Sequence, residues 1–387
     1  MSLPNRTILI AVLCLHFILT GVYWHFTPYG SPPDEGPHGR YVQVLATTHR
    51  LPVFDASDRG NYEAHQPPLY YALGMPFYLL RGETAARLLS MILGALSILV
   101  IYKAVMAAFG DKGLALGAAG FTALLPTHVM LSSMVSNDIL AELVFGLALL
   151  LMVSQLSMRN TIALGLVLGI GLLTKTTCIL LFPAAIVAFV LLRRRSLKHI
   201  AAILGISLVI GGWWLIRNQI LYGDFLAMHQ FVQAFQHTAK PAYWLSHGFS
   251  PAMYWLLVGG WTFASFWGVF GHMNQFMPTW VYVALGVVTA SVKIGWFKDV
   301  KRFPARRILV LYGVVLVLVW LAFIKFNMSF FQAQGRYLYP AILPISLSWA
   351  LGIRSLLPKR MHNWMPYLAM AIPLAAQIPA LATLAGF

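Results

Sequence analysis

Runs of about twenty residues without a charge recur along the whole chain, and no other feature restricts its fold so strongly. In hydrocarbon every backbone N–H and C=O must find a partner within the protein, so such runs become membrane-spanning helices. Composition agrees: 59% of the 387 residues are apolar and 10% are charged, against roughly a quarter charged in soluble domains. Candidate spans fall at 7–26, 84–108, 113–131, 138–157, 161–176, 177–192, 199–216, 253–271, 279–297, 308–325, 338–353 and 364–386. The first follows only Arg6 and has no small-residue cleavage site, so it reads as a retained span.

A net charge of +16 would suggest nucleic acid in a soluble protein, but its placement argues for a membrane instead. The basic residues gather between spans: Lys103 and Lys112, Arg159, Arg193 to Arg195 with Lys198, Lys298 to Arg307, and Arg354 to Arg360. These read as cytoplasmic loops. If every candidate crossed, the loop at Lys298 to Arg307 would fall on the wrong side. Taking 253–271 as an interfacial or re-entrant piece restores the charge rule and leaves about eleven spans. The expected architecture is thus a single all-α polytopic membrane domain over 1–387, with outer loops at 27–83 and 217–278 and no soluble C-terminal domain. Cys14 and Cys178 suggest neither a metal site nor a disulfide framework.

Asp34, Glu35, Asp55, Asp58 and Glu63 all fall in the first outer loop, out of eleven acidic residues in the chain. A purely structural bundle has no need to segregate acids and bases on opposite faces, so function is expected on the outer face. Between Gly39 and Arg50, apolar residues recur at helical spacing, fitting an interfacial or a solvated loop helix. Asp34 and Glu35 follow Pro32-Pro33, and a rigid turn there serves either a general base or an ordinary solvated surface. Glu63 lies beside His65 ahead of Pro67-Pro68. Asp138 is either a helix cap or, with Glu142 one turn deeper, a functional ionisable residue at membrane depth. Lys175, Arg217 and Arg336 stand at outer span ends against the charge bias. Each could snorkel to the interface, but three together suggest an anionic ligand such as a lipid phosphate. His229 and His237, eight apart, would share a helical face and make a weak metal site. The aromatics at Trp261, Phe263, Phe266, Trp267 and Phe270 fit an interface belt or a sugar-stacking platform.

Several motifs occur in a fixed order: the acidic pair after the first span, Tyr62-Glu63-Ala64-His65-Gln66-Pro67-Pro68-Leu69-Tyr70-Tyr71, Ser136-Asn137-Asp138, Thr174-Lys175-Thr176, Arg217-Asn218 with Tyr222-Gly223-Asp224, and Gly335-Arg336-Tyr337. As an ordered set they resemble the glycosyltransferase C superfamily, in the branch holding protein O-mannosyltransferases and the aminoarabinose transferase of lipid A. The resemblance implies inverting transfer from a polyprenyl-phosphate-linked sugar on the non-cytoplasmic face. It implies Asp34 as leading catalytic acid with Glu35 beside it, and Glu63 and Asp138 as pocket acids or ligands of a divalent metal. It implies Arg336 on the donor phosphate, with Lys175, Arg217, Tyr337 and His65 as looser donor-site placements. No Gly-rich phosphate loop follows a strand, in keeping with a donor that arrives in the lipid phase. The expected location is a bacterial inner membrane with a periplasmic site, and the expected acceptor an envelope glycan, glycolipid or lipid-linked molecule. Protein O-mannosyl transfer, and a flippase or transporter of lipid-linked sugar, are the rival readings.

Overall fold

The computed structural model describes residues 5–192, 196–300, 303 and 305–386. Arg193 to Arg195, Lys301 and Arg302, all assigned to the basic inner loops, lie outside the described residues. The fold is helical apart from one short hairpin, and each predicted span contains a helix. In order these are α1 (Asn5–Phe26), α2 (Glu35–Thr48), α3 (Leu69–Arg81), α4 (Arg87–Phe109), α5 (Lys112–Leu124), α6 (Pro126–Ser132), α7 (Asp138–Val153), α8 (Met158–Leu172), α9 (Leu181–Leu191) and α10 (Leu197–Tyr222). There follow α11 (Met228–Ala234), α12 (Pro241–Ser246), α13 (Pro251–Trp267), α14 (Thr279–Asp299), α15 (Arg306–Ser329), α16 (Ile342–Leu356) and α17 (Met365–Ala385). Strands β1 (Val269–Phe270) and β2 (Gln275–Phe276) pair antiparallel between α13 and α14.

Among the described residues, six helices (α1, α4, α10, α14, α15 and α17) are long and apolar enough to cross a membrane, or seven spans if the bent pair α5–α6 counts as one. The expected eleven is therefore not reached on length and composition. The shortfall has a local cause, because α7, α8 and α16 have 16, 15 and 15 residues, about 24 Å or less at 1.5 Å per residue. Each adjoins a polar segment, at Asn137, Lys175 and Gly335–Arg336, where a continuous apolar span would otherwise run.

The predicted span 113–131 bends by 67° between α5 and α6. Pro126 lacks an N–H and begins α6, leaving carbonyls at the end of α5 without helical donors. Side chains from distant helices supply them. His16 on α1 bonds the Ala123 carbonyl at 2.9 Å, and Gln377 on α17 donates to the Leu124 carbonyl at 2.7 Å. Elsewhere glycine sets helix spacing: a Cβ on Gly169 of α8 would come within 2.7 Å of Ile210 Cβ on α10, the close approach that small residues permit between membrane helices.

Helix α13 is held at both ends by neighbours at the site end of the molecule. Tyr254 donates to the Asn327 carbonyl at the end of α15, and the Gly335 N–H donates to Ser265 at 2.8 Å. The aromatic, Gly-containing stretch 261–274 divides into the end of a regular helix and a hairpin.

Candidate active site

Five segments converge at one end of the bundle: the Pro32-Pro33 turn, the 3-10 turn Arg59–His65, the start of α7, the loop after α8, and the 3-10 turn Gly335–Ala341 before α16. Asp34 caps α2 at φ 66°, in the left-handed region that Asp tolerates better than most residues. From this turn the two adjacent carboxylates reach different partners.

Glu35 is fully buried. It accepts from Arg87 Nε and Nη2, both at 2.7 Å, and from the backbone N–H groups of Val135 and Gly30, both at 2.9 Å. Both its oxygens are committed to binding the first outer loop to α4 and to the segment before α7. The expected catalytic role therefore gives way to a structural one. Arg87, which no motif signalled, is its counterion; its Nη1 also donates to the Thr27 carbonyl at 2.9 Å.

Asp34 instead pairs with Arg336 through Oδ2 and accepts from the Tyr62 hydroxyl through Oδ1. Arg336 reaches onward to Asp138 Oδ2 at 3.3 Å, and Lys175 pairs with Asp138 Oδ1. Asp34, Arg336, Asp138 and Lys175 form one alternating chain of charge across four segments, neutral in sum. The Arg336 Nε donates to Gln334 at 2.7 Å, which fixes the guanidinium plane. Its Cζ lies 5.2 Å from the centre of the Tyr337 ring. Asp138 is not a helix cap: Asn137 occupies that position, and the Asp138 carboxylate is spent on the two cations.

Burial opposes ionisation of Asp34, but Arg336, with His38 and the Tyr62 hydroxyl, outweighs it and holds the carboxyl at about 2. Glu63 is shifted the other way: burial raises it, His38 partly opposes, and the charge of Asp34 adds to the rise. Its Oε2 is buried without a partner among the described residues. Burial lowers His38, whose Nδ1 lies 2.9 Å from the Tyr71 hydroxyl. It lowers His65 to about 4 against the opposing pull of the Tyr62 carbonyl, which the ring bonds at 2.7 Å.

A cleft of about 470 Å³ opens onto Asp34. Asp34, Tyr62 and Pro33 line it, together with Trp261, His272, Met273, Phe331 and Gln332. Asp34 is the one carboxylate on its wall among the described residues, with 20% of its side chain exposed, whereas its partner Arg336 is 4% exposed.

Other predicted residues are placed differently. Arg217 donates to the Pro52 carbonyl at 2.7 Å and lies over Trp214 at 4.6 Å, with no bond to the charged chain among the described residues. His65 packs edge-on against Phe54 and Phe231. Helix α11 ends at Ala234, so His229 and His237 do not share a helical face. Glu142 pairs with His128 at 3.0 Å inside the bundle. The arrangement of Glu63 and Asp138 does not fit a divalent metal: no three metal-ligating side chains converge among the described residues, and Asp138 already carries Lys175 and Arg336. Tyr62 stands within a quoted motif and Gln334 immediately precedes another, but neither carried an assigned role. His38 gave no signal, since its partner Tyr71 is 33 residues away.

Comparison with known proteins bears on this geometry. The family described as dolichyl-phosphate-mannose-protein mannosyltransferase matches residues 65–213. No curated protein matches by sequence. Among solved structures, ArnT from Cupriavidus metallidurans bound to undecaprenyl phosphate superposes with a TM-score of 0.63 at 16% identity, over 94% of this chain and 62% of ArnT. The arabinofuranosyltransferase AftD from Mycobacteria gives 0.59 at 16% identity, over 98% of this chain and 27% of AftD. The oligosaccharyltransferase of Archaeoglobus fulgidus, complexed with Zn and sulfate, gives 0.54 at 15% identity, over 97% and 52%. The chain therefore spans about three fifths of the ArnT chain it superposes on. Carried by long apolar helices and by an end-on cluster of the ordered motifs, this multi-pass membrane protein has the fold of the glycosyltransferase C superfamily.

Proposed function

We propose that the protein is an inverting glycosyltransferase of the bacterial inner membrane, moving a sugar from a polyprenyl phosphate to a hydroxyl acceptor at the periplasmic face with Asp34 as general base. The observation that carries the reading is the pairing of Asp34, the one carboxylate on the cleft wall among the described residues, with the buried cation Arg336. A match to a dolichyl-phosphate-mannose family and a fold shared with ArnT bound to undecaprenyl phosphate support a lipid-phosphate donor.

The donor phosphate competes with Asp34 and Asp138 for Arg336 and Lys175. As Arg336 turns to the phosphate, Asp34 loses the partner that holds its proton affinity down and becomes a competent base. The acceptor oxygen then attacks the anomeric carbon from the side opposite the phosphate. The C–O bond to phosphate breaks, a new C–O bond forms with inversion, the acceptor proton passes to Asp34, and the polyprenyl phosphate leaves with the bonding electron pair. Arg336 and Lys175 neutralise its growing charge.

The test is transfer of labelled sugar from a panel of polyprenyl-phosphate donors to envelope glycan, glycolipid and peptide acceptors. Asp34→Asn is expected to keep the fold, because Asn also accepts the left-handed turn, and to lose at least about 100-fold in turnover. Arg336→Ala is expected to weaken undecaprenyl phosphate binding more than acceptor binding. Full turnover in Asp34→Asn would remove the base role. Peptide acceptors alone would select protein O-mannosyl transfer, and movement of lipid-linked sugar across a vesicle without transfer would select a flippase.

A further inference from the structure

The lining of the cleft has two kinds of chemistry. Behind Asp34 lie the cations, each engaged with a carboxylate. Elsewhere on the lining, Trp261, His272, Met273, Phe331 and Gln332 bring aromatic and neutral polar groups and, among the described residues, no lysine or arginine. Trp261 is packed edge-to-face against Phe276 at 5.2 Å and Phe331 at 5.8 Å, so its ring is fixed before any ligand arrives. The Gln332 Oε1 accepts from Gln334 Nε2 at 2.7 Å and from the Tyr337 hydroxyl at 3.3 Å. With its oxygen so engaged, Gln332 keeps an amide N–H₂ with no protein partner among the described residues. His272, exposed at the hairpin tip, likewise has no bonded partner there; Gly271 and Met273 on either side take φ 60° and 65°, fixing a tight turn.

We infer that this wall is the acceptor subsite and that the acceptor is a neutral carbohydrate. One sugar ring would stack on Trp261, its hydroxyls bonded by the Gln332 amide and the His272 ring. The C–H face of a pyranose is apolar with slightly positive hydrogens and suits an electron-rich indole, while hydroxyls at its rim need amide and imidazole partners. A phosphorylated acceptor seated there would meet the Asp34 carboxylate, and no lysine or arginine among the described lining residues offsets the repulsion. The cleft volume of about 470 Å³ suits a saccharide of about two or three units.

The inference rests on the transferase reading, and one set of binding measurements separates the two. Purified full-length protein is titrated with neutral hexose trisaccharides (maltotriose, cellotriose and a mannotriose) and separately with undecaprenyl phosphate, for wild type, Trp261→Ala, Trp261→Phe and His272→Ala. The expected result is saccharide binding weakened at least tenfold in Trp261→Ala, within threefold of wild type in Trp261→Phe, and several-fold weaker in His272→Ala, with undecaprenyl phosphate binding unchanged in all. That last value, with the melting temperature, reports whether the variants are folded; should Trp261→Ala unfold, the Trp261→Phe and His272→Ala pair carries the test. Undecaprenyl phosphate binding without saccharide binding, or saccharide binding indifferent to Trp261 and His272, overturns the acceptor inference and leaves the transferase reading standing. Saccharide binding that depends on Trp261, without undecaprenyl phosphate binding, overturns the transferase reading and retains the carbohydrate site.

Discussion

At the scale of the residue, two neighbouring carboxylates have unlike roles because their partners differ. Glu35→Gln leaves Arg87 buried and without its charge partner, so a loss of about 3–5 kcal/mol in stability is expected. Denaturation in detergent checks it, and protein that remains folded should still bind donor. Asp34→Asn should show the reverse pattern, folded and inactive. Both acids were legible in the sequence as a pair next to a rigid turn. Their division of labour was not, because it depends on a left-handed backbone at Asp34 and on Arg87, 52 residues from Glu35. Arg336, Lys175 and Asp138 were legible as outer charges, whereas their joining into one chain depends on tertiary contact. His65 adds a pH dependence. Its folded value near 4 lies below the ordinary 6.5, so the unfolded chain takes up the proton first and stability falls as pH drops from about 6.5 towards 4. His38 acts in the same direction, and the raised Glu63 partly offsets both. The melting temperature of His65→Gln should fall less between pH 7 and 4 than that of wild type; an equal fall would remove His65 as the source.

At the scale of the element, apolar periodicity identified the helices but not where they break. The segment 113–131 reads as one continuous span, and Pro126 is the sole local hint of the 67° bend. What makes the bend tolerable is remote: the freed carbonyls are bonded by His16 and Gln377. Gln377 also accepts from the Tyr23 hydroxyl at 2.7 Å, so one amide joins α1, α5 and α17. Gln377→Leu is expected to destabilise by about 1–3 kcal/mol, since it leaves a buried carbonyl and a buried hydroxyl without partners. Thermal unfolding in detergent would detect it, and no change would mean that water replaces the amide. Helices α7 and α16 are likewise short for the spans read at 138–157 and 338–353, with 16 and 15 residues, and each begins beside a polar segment that carries the site.

At the scale of the whole molecule, net charge and hydropathy excluded a soluble nucleic-acid binder, and the ordered motifs matched the fold that the structure displays. Composition does not fix the number of spans, because helices packed around a polar site need not each cross by themselves. Metal is where the site departs from what the motifs imply. With Lys175 and Arg336 on Asp138, charge neutralisation is already supplied, so a chelator is expected to leave donor binding and transfer within about twofold of untreated protein. Loss of transfer on chelation, restored by added divalent ion, would reverse that conclusion. The broken span has a consequence for biosynthesis. Helix α5 leaves the ribosome about 250 residues before the glutamine that satisfies the Leu124 carbonyl at its end, so at ~5–20 residues per second that carbonyl waits ~10–50 seconds for its partner. During that interval the α5–α6 junction must be sheltered by lipid-embedded insertion machinery or by bound water. Chains stalled ahead of position 377 should accordingly be the ones quality-control proteases recognise.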